Sequence, residues 1–206
     1  MSDKGKAGRV SLRLLCLSAL VFSSLTLASA CGSKTQPTQQ PTAAYVRLVS
    51  SEHGFSLEYP SSYKSADVSP SERPSGALYM RQWWTGTTTS PVYMWVVVNP
   101  PSAWGNGADA KLVLRTMRKM YGAGKGERPE ETNVKLRAAR LTTVAGLPAA
   151  YSERSYTEDG AARVERFYWL RSRDVVYEVG YWTAAEEASR RTAEFDHVVS
   201  SFTVLP

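Results

Sequence analysis

The chain is 206 residues long, with 25 Lys and Arg against 19 Asp and Glu, 43% hydrophobic and 11% aromatic residues, and two cysteines. That balance excludes collagen-like, disordered and disulfide-dense classes. Without residues 1–30, which hold Lys4, Lys6, Arg9 and Arg13 against Asp3, 21 basic and 18 acidic residues remain, and the net charge falls from +6 to +3.

Those first 30 residues read as a secretory signal: a cationic start, then an apolar stretch from Leu14 to Leu27 diluted by Ser18, Ser23, Ser24 and Thr26, laid out as exported chains require. The stretch is short for a membrane span, which needs about 20 predominantly apolar residues. Cys16 falls inside the segment to be removed, so Cys31 becomes the sole thiol of an exported protein, with no internal partner for a disulfide. Leu27-Ala28-Ser29-Ala30-Cys31-Gly32-Ser33 resembles a bacterial lipobox, in which the cysteine is acylated and becomes the new N-terminus. It departs from that pattern in carrying Ala28 where Leu is usual. Ala28 and Ala30 also fit an ordinary signal-peptidase site, which would release a soluble secreted protein. Acylation at Cys31 is the expectation, and two or three acyl chains on one cysteine hold a protein stably on a bilayer where one does so only marginally.

Residues 32–44, GSKTQPTQQPTAA, have no periodicity and no aromatic side chain. They are expected to form, with the lipidated Cys31, a disordered tether over 31–44 that spans roughly 20 Å as a flexible coil. A single domain is expected over 45–206. Its predicted elements begin with two short strands, 45–49 and 55–60, around the turn Glu52-His53-Gly54. A Pro- and Ser-rich loop covers 67–76. Strands at 78–84 and 92–98 follow, the second apolar on both faces and therefore expected to be covered on both sides.

After the Pro100 to Gly107 loop, Ala110, Val113, Leu114, Met117, Met120 and Tyr121 recur at helical spacing over 108–121. Gly122, Gly124 and Gly126 end that helix. Four strands, 134–143, 149–157, 162–171 and 175–182, come next, the last three as an antiparallel meander. A second helix is predicted over 184–200, with Ala188, Phe195, Val198, Val199 and Phe202 inward. Strands with two such helices imply an α+β sandwich.

Several of these segments together are familiar. Gly54-Phe55-Ser56-Leu57-Glu58-Tyr59-Pro60, Ala145-Gly146-Leu147-Pro148-Ala149, Phe167-Tyr168-Trp169 with Val175-Val176-Tyr177-Glu178-Val179, and Phe195, Val198, Val199 with Ser201-Phe202 resemble the PsbP-like superfamily from Val46 to Val204. That superfamily includes PsbP subunits, DcrB-type envelope lipoproteins and the LpqN lipoproteins of actinobacteria. The resemblance implies a central antiparallel β-sheet flanked by helices on both faces, a PsbP-like α/β/α sandwich. It also implies a non-enzymatic module that binds partners or small ligands in the cell envelope, and it brings no catalytic residues.

The residues themselves point the same way. His53 and His197 are the only histidines, and a shared metal site would need more converging ligands; no metal or cofactor is expected. There is no Gly-x-Ser-x-Gly. Gly122-Ala123-Gly124-Lys125-Gly126 follows a helix where a phosphate loop would precede one. Glu153, Glu158, Asp159 and Glu165 share a hairpin with Arg154, Arg163 and Arg166, and cross-strand ion pairs account for them. Basic clusters at Arg115-Arg118-Lys119, Arg137-Arg140 and Arg171-Arg173 are solvated faces by default. Anionic lipid head groups are a more natural partner for them than nucleic acid, given the small net charge and expected export.

The six tryptophans are the unusual feature. Trp83 and Trp84 are neighbours in a strand and so point to opposite faces, Trp95 lies on the next strand and Trp104 in a Gly-rich loop. These four are the candidate ligand-binding residues, with core filling as the alternative for each. The expected function is that of an exported, membrane-anchored, monomeric lipoprotein. Its non-catalytic domain binds a protein partner or an apolar envelope ligand. The alternative is a lipid or small-molecule carrier with an aromatic-lined internal cavity.

Overall fold

The computed structural model describes residues 44–206 apart from 88, 89, 103, 106 and 174. The expected signal peptide, Cys31 and nearly all of the tether lie outside the described residues. The chain opens with β1 (Tyr45–Ser50) and β2 (Phe55–Pro60), an antiparallel pair in which Tyr45 faces Pro60 and Ser50 faces Phe55. Gly54 closes their turn at φ 69°, a left-handed conformation that suits a residue without Cβ. The Tyr177 hydroxyl donates to the His53 and Gly54 carbonyls at 3.0 Å each and ties the turn down.

Next come β3 (Lys64–Asp67), β4 (Tyr79–Gly86) and β5 (Pro91–Asn99). They are followed by α1 (Ala110–Gly122), β6 (Thr132–Val144), β7 (Leu147–Glu158), β8 (Ala161–Ser172) and β9 (Val175–Ala184). Helix α2 (Ala188–Ser201) and the short β10 (Thr203–Val204) end the chain. Helix α1 starts at Asp109, whose carboxylate accepts from the Leu112 amide at 2.7 Å, satisfying one of the donors that a helix start leaves unpaired.

Two sheets result where one was expected. Strands β1, β2 and β10 form a three-stranded sheet, and the remaining seven form an antiparallel sheet in the order β3-β4-β5-β9-β8-β7-β6. The meander of β7, β8 and β9 is present as predicted, and β6 extends it. Two strands escaped prediction: β3, which starts before the Pro- and Ser-rich loop, and β10, only two residues long.

Consecutive residues on a strand enter different hydrophobic clusters. Tyr177, Leu170 and Ala149 pack with Phe195, Val198 and Val199 of α2 and with Phe55 and Leu57 of β2. Their neighbours Val176, Trp169 and Ala150 pack with Val113, Leu114, Met117 and Tyr121 of α1. The period-two alternation of a strand thus feeds two cores. Among the described residues no helix is long and apolar enough to cross a membrane.

Strand β5 corrects one expectation. It sits between β4 and β9, and Val92, Met94, Val96, Val97 and Val98 are buried, but Tyr93 and Trp95 are only half-buried. Cover is therefore complete on one face and partial on the other. Helix α1 packs against β6, β7 and β8, and no member of its cluster comes from β4 or β5.

The first core sets stability. Phe195 is 0% exposed, stacked on Tyr181 at 5.1 Å and beside Tyr168 at 5.8 Å. Phe195→Ala should lower the unfolding free energy by about 3–5 kcal/mol in urea titration, whereas Val49→Ala, at a 53% exposed site on β1, should change it by about 0.5 kcal/mol or less.

Candidate functional site

Beside α1 the sheet is floored by aromatic rings, one of which, Trp182, packs against the α1 cluster. Trp84 of β4, Tyr93 and Trp95 of β5 and Trp182 of β9 occupy alternate positions of three adjacent strands, with Trp84 opposite Tyr93 and Tyr93 opposite Trp182. All four are half-buried. The Tyr93 and Trp182 rings meet at 5.3 Å. Trp95 lies across Gly180, its register partner on β9. A Cβ at Gly180 would come within 2.1 Å of the indole Cε2 and Cζ2 atoms, so glycine there is what lets the ring lie down.

Two adjoining depressions follow this floor and share Tyr93, Glu158 and Trp182. One, of about 670 Å³, lies under the β4–β5 turn, between Lys64 and Trp84 on one side and Asp159 and Arg163 on the other. The second, of about 480 Å³, runs past Met80, Gln82 and Trp95 toward Glu127, Arg128, Arg154 and Glu165.

The wall of the second depression is a network of charges. The Arg154 guanidinium is held between the rings of Tyr121 and Tyr156 at 4.8 and 4.7 Å. It donates to Glu131 Oε2 at 2.5 Å and Glu165 Oε2 at 2.6 Å, and Glu127 Oε2 stands 3.5 Å away. Arg128 bridges Glu131 at 3.0 Å and Glu158 at 2.5 Å. Tyr121 donates from its hydroxyl to Glu127. The cross-strand pairs expected on the β7–β8 hairpin are present, Arg154 with Glu165 and Arg166 with Glu153 at 3.0 Å.

Three carboxylates around one guanidinium do not balance. Burial pushes the Glu165 carboxyl up to about 7 against the pull of Arg154, while for Glu131 the cost of burial is outweighed by hydrogen bonds from Arg154, the Glu127 amide and Arg128, so its carboxyl lies below the usual range. Glu178 on β9 has no cation among the described residues. Its Oε1 accepts from Asn99 Nδ2 at 3.0 Å and Trp104 Nε1 at 2.5 Å, and burial raises it to about 7.

The four candidate tryptophans therefore separate. Trp84 and Trp95 lie in the groove. Trp83, 0% exposed, points to the opposite face and fills the core beside Tyr59 at 5.3 Å. Trp104 packs against the α1 cluster, near Phe167 and Trp169, with its indole N–H on Glu178. Cys31 lies outside the described residues. His53 stacks on Tyr79 at 4.0 Å, and His197 stacks on Tyr45 at 3.6 Å with Nε2 2.8 Å from Glu58, so the two histidines have separate partners. Among the described residues no group of three or more His, Cys, Asp or Glu side chains could hold a metal ion.

Sequence reasoning missed Tyr93, Trp182 and Gly180 as site residues. Their signal was the spacing: Tyr93 with Trp95, and Gly180 with Trp182, are two apart on strands whose other face is plainly apolar. Glu127 and Glu131 carried no such signal, because they reach Arg154 from a loop.

No protein-family model matches the chain, and no curated protein does. Solved structures do. The chain is similar to PsbP (CyanoP) from Synechocystis sp. PCC 6803, with 17% identity, a TM-score of 0.57, and coverage of 84% of this chain and 99% of that one. It is also similar to LpqN of Mycobacterium tuberculosis, described as involved in cell envelope biogenesis, with 13% identity, a TM-score of 0.51, and coverage of 82% and 88%. The fold is PsbP-like, an antiparallel mixed α and β architecture with two helices.

The raised carboxyls make stability depend on pH. Glu165 and Glu178 bind protons more tightly folded than at their ordinary value of 4.5, so their contribution is complete below that value and declines as pH rises through about 7. Urea unfolding should show a more stable protein at about pH 5 than at about pH 8. Glu178→Gln keeps the oxygen that Asn99 and Trp104 bond and should shrink the difference; a variant with the full difference would remove Glu178 from this account.

Proposed function

We propose that the chain is an exported, membrane-anchored lipoprotein whose non-catalytic domain binds an envelope protein or an apolar envelope ligand in the aromatic groove. The observation that carries this reading is the floor of Trp84, Tyr93, Trp95 and Trp182, half-buried on three adjacent strands, with Trp182 alone of the four also packed against the α1 cluster. Large rings exposed side by side cost solvation unless something covers them, and aromatic surface is what binding sites are enriched in. Pre-positioning by Gly180 reduces the entropy lost on binding. The division of buried residues between an α1 cluster and an α2 cluster supports a sandwich with a helix on each face. The PsbP-like fold, shared with an envelope-biogenesis protein, supports an extracytoplasmic role without catalysis.

An internal lipid cavity draws less support. Between α2 and the sheet, Trp83, Met94, Tyr181 and Phe195 are each 1% exposed or less, so the aromatic residues there fill the space that a carrier would leave open.

The anchor reading rests on residues 1–44: a signal peptide over 1–30, acylation at Cys31 and a tether to Ala44. In the native host, the membrane fraction should yield a chain that begins at Cys31 and carries the mass of two or three acyl groups, and Cys31→Ala should abolish that species. A soluble, unacylated chain starting at Cys31 would establish the secreted alternative.

For the groove, a photo-crosslinking residue at Gln82 of the full chain should give discrete adducts, protein or lipid by mass, and one at Ser200, away from the groove, should not. Trp182→Ala and Gly180→Ala, the second by lifting Trp95 from its seat, should each reduce the Gln82 adducts several-fold. Equal adducts from both positions, or none from Gln82, would remove the groove as the binding site.

A further inference from the structure

We infer that the outward face of α1 docks on anionic lipid head groups, an inference that rests on the proposed membrane anchor and identifies which part of the domain meets the bilayer. Lys111, Arg115 and Lys119 recur at every fourth position and are exposed, so they form one stripe along the helix with charges about 6 Å apart. No Asp or Glu occurs between Ala110 and Gly122.

The basic clusters of the sequence divide by what already occupies them. Arg118 Nη2 donates to the Ala139 carbonyl at 2.7 Å, Arg140 lies over the Tyr151 ring at 4.1 Å, and Arg171 Nη1 donates to the Ala108 carbonyl at 3.2 Å. Lys111, Arg115, Lys119 and Lys125 have no ion pair among the described residues, whereas Arg128, Arg154, Arg163, Arg166, Arg190 and Arg191 all do.

Between two of these lysines is a shallow depression of about 300 Å³, lined by Thr116, Lys119, Met120, Ala123 and Lys125. Its lining combines a thioether and a methyl group with two ammonium groups. Leu112, 40% exposed, lies on the same outward face. That combination, charge with apolar reach beside it, suits a phosphodiester head group and the first carbons behind it better than an acidic protein surface, which offers only the charge.

Reach is not limiting. Thirteen residues of tether extend to at most roughly 45 Å, about the diameter of a globule of this size, roughly 40 Å. Each cation near an anionic surface strengthens binding about fivefold, over a range of about 10 Å that salt shortens. The groove lies on the same face of the sheet as α1, so docking through α1 brings the groove mouth to the lipid surface, where an apolar ligand or a membrane protein would be met.

The test uses the full, acylated chain in vesicles of phosphatidylcholine alone or with phosphatidylglycerol, with lysine acetylation read residue by residue by mass spectrometry. Lys111, Lys119 and Lys125 should react several-fold more slowly on the anionic vesicles, with the difference lost in molar salt, while Lys64 and Lys135 react alike on both. The double variant Lys119→Gln, Lys125→Gln should return Lys111 to its rate on neutral vesicles. Equal rates on both vesicles, uniform protection of all five lysines, or protection seen only in native membranes, which would indicate a protein partner, each overturns the inference. A chain that fails to float with neutral vesicles removes the anchor instead, and salt-sensitive pelleting with anionic vesicles would then still sustain docking by α1.

Discussion

A seven-stranded sheet is about 29 Å across, and a helix with its side chains is about 10 Å wide. One helix therefore shields two or three strands of a face, and the rest must find other cover. Around Phe195 the cover is shared between α2 and the three-stranded sheet, and the packing closes. Helix α1 serves β6, β7 and β8. Beyond it the chain lays down tryptophan and tyrosine rings, each of which hides 150–250 Å², and these shelter the strands without closing the layer. The groove is the remainder of that shortfall.

The same shortfall explains the charged wall. The segment between α1 and β6 turns along the rim of the groove, where its Glu127 and Glu131 are fixed by Arg154 and its Arg128 by Glu131 and Glu158. Gly126 passes close to Glu131, whose Cβ lies 2.6 Å from where a Cβ on residue 126 would sit. Buried ion pairs seldom add net stability over apolar packing. Here the network does something packing cannot, because it holds a polar rim beside an apolar floor, and burial within it raises the Glu165 carboxyl to about 7.

Much of the fold was legible because its signals are local. Helix α1 followed from the recurrence of Val113, Leu114, Met117 and Tyr121, and its limits moved by only one or two residues once Asp109 was seen to cap it. The hairpins at Gly146 and Gly160 followed from turn chemistry, both glycines having positive φ. Strand β10 was not legible, since two residues have no period and Thr203 and Val204 become a strand only by meeting Ser56 and Phe55. Half of the candidate site was legible too. Adjacent Trp83 and Trp84 had to face opposite ways, but which way depends on which face α1 covers, a tertiary fact. The carboxylates of the rim were read correctly along their own hairpin and incompletely beyond it, because Glu131 joins Arg154 across 23 residues of chain.

Trp95 and Gly180 are separated by 85 positions yet constrain each other sterically. A ring at the first demands a missing side chain at the second, since a Cβ would sit 2.1 Å from it, and loss of the ring would leave a bare glycine in the middle of a strand with nothing packed on it. Neither position can drift alone without cost. Across descendants of this chain the two should be retained together or exchanged together, so that a small residue facing a side-chain-bearing one at these positions marks a lineage in which the floor of the groove has been given up.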